Sequence, residues 1–491
     1  MKYISTRGDK TEFSSSQAVI AGLAKDGGLF VPKNLPVLDV PLEELSKKDY
    51  REIAYEVMKL FFTDYTKEEL CECINRAYDK KFDTDKIASL VKRGGQHFLE
   101  LFHGPTIAFK DMALSILPHL LKCALKKNGI NDRVLIMTAT SGDTGKAALE
   151  AFDSVESTRI IVFYPKGGVS PIQERQMVTQ TGANTKVIGV KGNFDDCQSK
   201  VKEMFSDPGL AQELSSNGFR FSSANSINIG RLIPQVVYYV YAYVKMMEAN
   251  EISEGEALNF VVPTGNFGNI LAAFYAKKMG VPVGKLVCAS NENKVLYDFF
   301  NTGIYDRRRE FILTTSPSMD ILISSNLERL IYHSLGDDAQ KNAVLMDRLF
   351  EDGFYEVGDA QREYMKDFVA IFANGQQVSD TIKHYYDSCG YVIDTHTAVA
   401  AYANLKNMEN DRTKSVVVST ASPYKFTRYV LSSIDPSLVS DDDLEMASTL
   451  YDISKVEIPK AISLLKDAKV IHDRVCETSE MPDMVREFIR N

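Results

Sequence analysis

From about residue 133 onward, short apolar runs alternate with stretches of helical spacing. Val134–Met137, Ile160–Tyr164, Val187–Val190, Phe260–Pro263 and Leu286–Ser290 are the apolar runs. Between them, Lys146–Phe152, a stretch near Ile172–Gln180, one beginning near Phe194, and Ile270–Met279 predict helices. Strands alternating with helices imply βαβ units and a parallel sheet, hence an α/β fold. Val416–Val418 reads as the last strand. The first 100 residues predict a mostly helical lead-in with a short extended start. There Asp49–Phe62 has helical spacing, and the turn Asp26-Gly27-Gly28 precedes a strand at Leu29–Val31. From about 436 the chain reads as charged helices, and 353–376 as a weakly patterned segment covering one face.

Length and charge narrow the function. At about 150 residues per domain, 491 residues allow roughly three domains. A net charge of −9 argues against a nucleic-acid or anionic-membrane binder, which needs a basic surplus. No apolar stretch reaches the roughly 18 residues of a membrane span, and the opening MKYISTRGDKTEF lacks an apolar signal core. A cytoplasmic enzyme is expected. The seven cysteines are scattered, and Cys71-x-Cys73 has no second pair to complete a metal site. Free thiols in a reducing compartment fit that pattern.

Ligands of parallel sheets sit at the carboxyl ends of strands, and three polar loops lie there. Thr264-Gly265-Asn266-Phe267-Gly268-Asn269 joins a strand to a helix. Its glycines and the helix N-terminus suit a phosphate, though a plain strand–helix turn would look the same. Ser141-Gly142-Asp143-Thr144-Gly145-Lys146 is not a P-loop, because Thr140 stands where the first glycine is required and Ala147 follows the lysine. It is either a hydroxyl-rich anion turn or a helix capped by Ser141 or Asp143. Ser419-Thr420-Ala421-Ser422-Pro423 is the third loop. Lys110 follows an apolar tripeptide. A lysine in a dry pocket loses proton affinity and forms Schiff bases, but most lysines are solvated, and the local sequence does not decide.

Taken together, Leu101-Phe102-His103-Gly104-Pro105-Thr106-Ile107-Ala108-Phe109-Lys110-Asp111 resembles the lysine motif of the threonine synthase family. That family belongs to the fold-type II (tryptophan synthase beta-like) pyridoxal-phosphate (PLP) enzymes. Thr140–Gly145, Gly265–Asn269 and Ser419–Phe426 agree with it in order. So do Tyr3–Gly8, Asp26–Pro32, Asn225–Asn228 with Arg231, and Ser316–Asp320. The likeness spans nearly the whole chain and matches the microbial and fungal subgroup. Departures at Ile229-Gly230 and Ile321-Leu322-Ile323 fall on the substrate side.

The resemblance implies two open parallel-sheet α/β domains with an N-terminal helical region and a C-terminal helical subdomain. The expected division is residues 1–100, a large cofactor domain of 101–124 plus 241–435, a smaller α/β domain of 125–240, and 436–491. It implies Lys110 as the Schiff-base lysine, Gly265, Asn266, Phe267, Gly268 and Asn269 as the cofactor-phosphate loop, and Thr420 on the pyridine nitrogen. Ser141, Asp143 and Thr144 would hold the substrate carboxylate. Asp143 could instead cap the helix or order the hydroxyls. Asn228 and Arg231, with Ser170, Gln173 or Arg175 as further candidates, would hold the substrate phosphate. The implied reaction turns O-phospho-L-homoserine and water into L-threonine and phosphate, in a monomer. The alternatives are a phospholyase releasing 2-oxobutyrate on the same scaffold, a serine or threonine dehydratase, and a catalytically silent binding protein.

Overall fold

The apolar runs become strands of two separate sheets in the computed structural model, which describes residues 1–490. The larger sheet runs in the order Phe368–Phe372, Val283–Ser290, Leu258–Pro263, Ser415–Ser419, Gln96–Glu100, Ser89–Arg93. All its pairings are parallel except the last. The smaller sheet is fully parallel, in the order Val475–Glu477, Thr185–Lys191, Thr158–Pro165, Arg133–Ala139, Phe219–Ser222. The α/β class with two open parallel sheets is therefore the observed one.

The edges of these sheets depart from the expected division. Residues 89–100 do not stay with the N-terminal region; they form the antiparallel margin of the larger sheet. The weakly patterned stretch near 353–376 contains Phe368–Phe372, which pairs with Val283–Ser290 at the opposite edge. The C-terminal segment is not all helix. Val475–Glu477 extends the smaller sheet, and Met481, Met484, Val485 and Ile489 of the last helix pack on that sheet's core. Edge strands are short and covered on one side only, so their apolar signal is weak.

The helices follow sequence cues more directly. Asp49 accepts from Glu52 N–H while Glu52 reaches back, a capping box that starts the helix Tyr50–Phe61. Ile53, Ala54, Val57, Met58 and Phe61 face inward at helical spacing. They meet the helix Ile229–Glu248, which is apolar on nearly every side and accordingly buried along its length. That helix also packs on Gly268–Lys278, so it belongs to the body of the molecule and does not end with the small domain near residue 240. The N-terminal helices, this central helix and one face of each sheet share a single apolar core. No helix among the described residues is long and apolar enough to cross a membrane.

Candidate active site

Lys110 sits where the segment after Gln96–Glu100 crosses the end of Ser415–Ser419. Phe109 N–H donates to the Thr420 carbonyl (2.8 Å), and Ser422 N–H to Ile107 O (3.0 Å). Ile107 holds a left-handed φ of 54°, which turns the chain into the short helix Asp111–Leu114. Thr106 N–H and hydroxyl both bond the Asp111 carboxylate (2.8 and 2.6 Å), closing the turn. Gly104 faces that carboxylate so closely that a Cβ would stand 2.5 Å from Asp111 Cβ. Burial pushes the Asp111 acid up to about 6 despite the Thr106 bonds.

The Lys110 side chain is 11% exposed. Its Nζ lies 3.3 Å from Ser318 Oγ and 3.6 Å from Asp143 Oδ2. Burial pulls its ammonium down to about 8; Lys425 and Arg231 act in the same direction and Asp143 against it. A lysine in this environment gives up its proton more readily than a solvated one, as a Schiff-base nucleophile or general base requires.

The loop after Leu258–Pro263 has its carbonyls tied on one side. Ser324 Oγ donates to Gly265 O (2.6 Å), and Asn326 donates to Asn266 O through its backbone N–H (3.1 Å) and its amide (2.9 Å). A trans peptide points its N–H opposite its carbonyl, so the N–H groups of Asn266 and Phe267 face the other way. No side chain caps the helix Gly268–Lys278. Among the described residues, no backbone carbonyl accepts from the N–H groups of Gly265 to Ile270. The result is an anion nest at a helix N-terminus, the chemistry a cofactor phosphate needs. Phe267 takes a left-handed φ of 64°. Its ring is buried against Phe300 and Phe368, so it offers the nest only its backbone. Asn269 is also turned inward, accepting from Tyr238 and Tyr239 hydroxyls (2.5 and 2.6 Å).

The nest and the lysine are joined through one turn. A Cβ on Gly265 would stand 2.8 Å from Ser318 O, and Ser318 Oγ is the atom beside Lys110 Nζ. Ser318 is itself oriented by His396, whose Nε2 accepts the Ser318 N–H (3.2 Å) while Nδ1 faces Asp394 (2.8 Å). The Ser318 bond fixes the imidazole proton on Nδ1. Thr420 is buried at the same strand end, with its carbonyl accepting from Phe109 N–H.

The 140–145 turn is capped by neither Ser141 nor Asp143. Thr140 Oγ1 takes the N–H groups of Gly142 (3.0 Å) and Gly145 (2.8 Å). Ser141 and Thr144 remain half-buried at the turn. Both Asp143 carboxylate oxygens are engaged by protein groups. Its Oδ1 accepts from Gln173 (2.9 Å) and pairs with Lys425 (3.0 Å); its Oδ2 accepts from Ser318 (2.8 Å). Burial works against this charge, but Lys425 and Lys110 hold the acid far below the usual carboxylate range.

The candidates for the substrate phosphate separate. Asn228 is an N-cap: its Oδ1 accepts from Gly230, and its amide donates to the Val19 and Ser223 carbonyls. Ser170 and Gln173 close a capping box on each other, and Arg175 donates to the Leu465 and Ala468 carbonyls. These side chains are committed to the fold. Arg231 differs. It is buried, and among the described residues it has no carboxylate partner, bonds only the Ala224 carbonyl, and leaves Nε unsatisfied. Burial draws its guanidinium down to about 10. A buried unpaired cation calls for an anion. Sequence reasoning missed Ser318, Lys425 and His396 as site residues.

The chain is similar to known proteins along most of its length. A family model described as threonine synthase N terminus matches residues 2–78, and one described as pyridoxal-phosphate dependent enzyme matches 97–422. A threonine synthase of Schizosaccharomyces pombe is 37% identical, covering 88% of each chain. One of Pseudomonas aeruginosa is 39% identical, covering 88% of this chain and 90% of that one. The crystal structure of a PLP-bound threonine synthase from Brucella melitensis superposes with a TM-score of 0.88 at 34% identity over the whole of both chains.

Proposed function

Since the chain belongs to the pyridoxal-phosphate-dependent enzymes and, within them, to the threonine synthase family, we propose that its site converts O-phospho-L-homoserine and water into L-threonine and inorganic phosphate, with Lys110 as the cofactor lysine. The observation that supports this reading is the close approach of Gly265 to the Ser318 turn, which brings the anion nest and the buried amine to the same turn.

The N–H groups of Gly265–Asn269 would hold the cofactor phosphate, and the Thr420 hydroxyl the pyridine nitrogen. When bound, the cofactor supplies an electron sink for charge developing on the substrate's carbons. A neutral hydroxyl donor at that nitrogen leaves the ring uncharged. Ser141 and Thr144, at the positive end of the helix Asp143–Phe152, would orient the substrate carboxylate. Arg231 would take the substrate phosphate. Lys110 Nζ, once free, would move protons on and off the substrate's carbons, a role that its weakened ammonium suits. The enzyme would act as a monomer in the cytoplasm, a reducing compartment that suits its free cysteines.

The test is a product assay on purified wild type and Lys110→Ala with O-phospho-L-homoserine, alongside the visible absorbance of lysine-bound PLP. Threonine and phosphate from wild type alone, with the band lost in the variant, is the expected result. 2-Oxobutyrate in place of threonine would move the activity to a phospholyase on the same site. No lysine-bound band in PLP-saturated wild type would overturn the assignment of Lys110.

A further inference from the structure

Lys425 is fully buried, with a side chain 0% exposed. It lies just past the strand end that carries Thr420. Its Nζ donates to the Thr106 carbonyl (2.9 Å), in the turn leading to Lys110, and pairs with Asp143 Oδ1 at 3.0 Å. Asp143 thus stands between two ammonium groups, with one oxygen turned to Lys425 and the other toward Lys110. The charged and titratable groups facing Lys110 or its carboxylate are Asp143 from the smaller domain, Lys425 and His396 from the larger, and Arg231 from the central helix. Asp111, next in sequence, is turned to Thr106.

A lone buried carboxylate 3.6 Å from the lysine would hold its amine protonated. Such an amine can neither attach a cofactor nor accept a proton. A second cation on the same carboxylate weakens that hold, and its own positive charge repels a proton on the first. We propose that Lys425 is a positioning residue for Lys110, acting through Asp143 to keep the lysine amine free of its proton. The inference rests on the assignment of Lys110 as cofactor lysine. It gives the buried Lys425–Asp143 pair a role that a purely structural bridge between the two domains would not have.

The experiment uses the holoenzyme and two readouts, the acid limb of the kcat–pH profile and the pH dependence of the lysine-bound cofactor's absorbance. Lys425→Met is expected to move the acid limb up by about one unit or more, roughly a tenfold loss of rate below the limb, with the absorbance following the same direction. Lys425→Arg, which keeps the charge, is expected to leave the profile in place. A Lys425→Met enzyme with an unmoved limb would overturn the proposal, as would an equal displacement in Lys425→Arg. If Lys425→Met yields no folded protein, Asp143→Asn carries the test: the profile must move down, and an upward or absent movement overturns the proposal. Wild type without a lysine-bound absorbance band would instead overturn the assignment of Lys110, and this inference with it.

Discussion

Gly265→Ala is the sharpest probe of how the nest and the lysine are coupled. The backbone of Gly265 lies outside the left-handed region, so alanine meets no conformational penalty there, and the effect is one of space. The new Cβ would stand 2.8 Å from Ser318 O and 3.2 Å from Met319 Cα. Both are backbone atoms, which cannot swing aside as a side-chain tip can. Ordinary contact lies near 3.5–4.0 Å, so the loop and the Ser318 turn must separate by several tenths of an ångström or more. The turn resists, because Ser318 is held by His396 and Asp143. Overpacking of this kind costs about 1–3 kcal/mol, which corresponds to a five- to 150-fold weaker cofactor affinity, roughly. Titrating the apoenzyme with PLP and following the lysine-bound absorbance measures it directly. Thermal unfolding of the apoenzyme is the control and should change by less than the affinity does, because only phosphate binding needs every N–H group of the loop in place. Affinity within about twofold of wild type would refute the reasoning. So would an apoenzyme destabilised by the full amount, which would make the clash a general packing defect.

Two further predictions concern neighbouring residues. Arg231→Met should raise KM for the phosphorylated substrate at least about tenfold while PLP affinity holds. Asn228→Ala, which removes a cap and two carbonyl bonds, should lower unfolding free energy by about 1–2 kcal/mol with KM unchanged; equal KM effects in the two variants would refute the distinction. His103 bridges Asp83 (2.6 Å) and Glu100 (3.1 Å), and although burial opposes its charge, these bonds raise the imidazole to about 9. Because the folded value exceeds the unfolded one, the stabilisation is fully present below about pH 6.5 and is lost as pH rises through 9. Urea unfolding at pH 6.5 and 9.5 should therefore show wild type losing about 1–3 kcal/mol more than His103→Gln, and equal losses would show that the bridges carry no such energy.

The residues legible in the sequence were those whose chemistry is written in a strand-end loop. The glycines of 264–269, the hydroxyls of 140–145 and the lysine after Ile107-Ala108-Phe109 all lie where a parallel sheet presents ligands. The residues that were missed act across distance. Lys425 and Thr106 are 319 positions apart, and nothing around a lysine in Pro423-Tyr424-Lys425-Phe426 says that its ammonium is buried. Asn228 shows the opposite failure. An asparagine immediately before a long apolar helix is a strong N-cap signal, and the Asn228 side chain does cap the Gly230 N–H. Residues 368–372 escaped for a third reason: Phe-Val-Ala-Ile-Phe is apolar enough for a strand but sits inside a charged stretch that diluted it.

The N-terminal region has a mechanical part in the same site. The nest works only while its carbonyls are held to one side, and Asn326 is the main holder. Asn326 Oδ1 is gripped by Arg329, a fully buried arginine that also donates to Phe30 O (2.9 Å) and Ile227 O (2.6 Å). The adjacent Glu328 accepts from the Thr6 hydroxyl (2.6 Å) and makes a two-pronged bond with Arg7. Phe30, Thr6 and Arg7 all belong to the N-terminal strands Tyr3–Ser5 and Phe30–Pro32 or the turn beside them. A guanidinium fixed at three points transmits position with little slack, since each of its donors is directional and none can reach water without breaking a buried bond. The opening residues therefore brace the cofactor loop from behind. The same arginine bonds the carbonyl of Ile227, close in sequence to Arg231, so the 265–269 loop and the start of the helix that carries Arg231 are tied to one buried side chain.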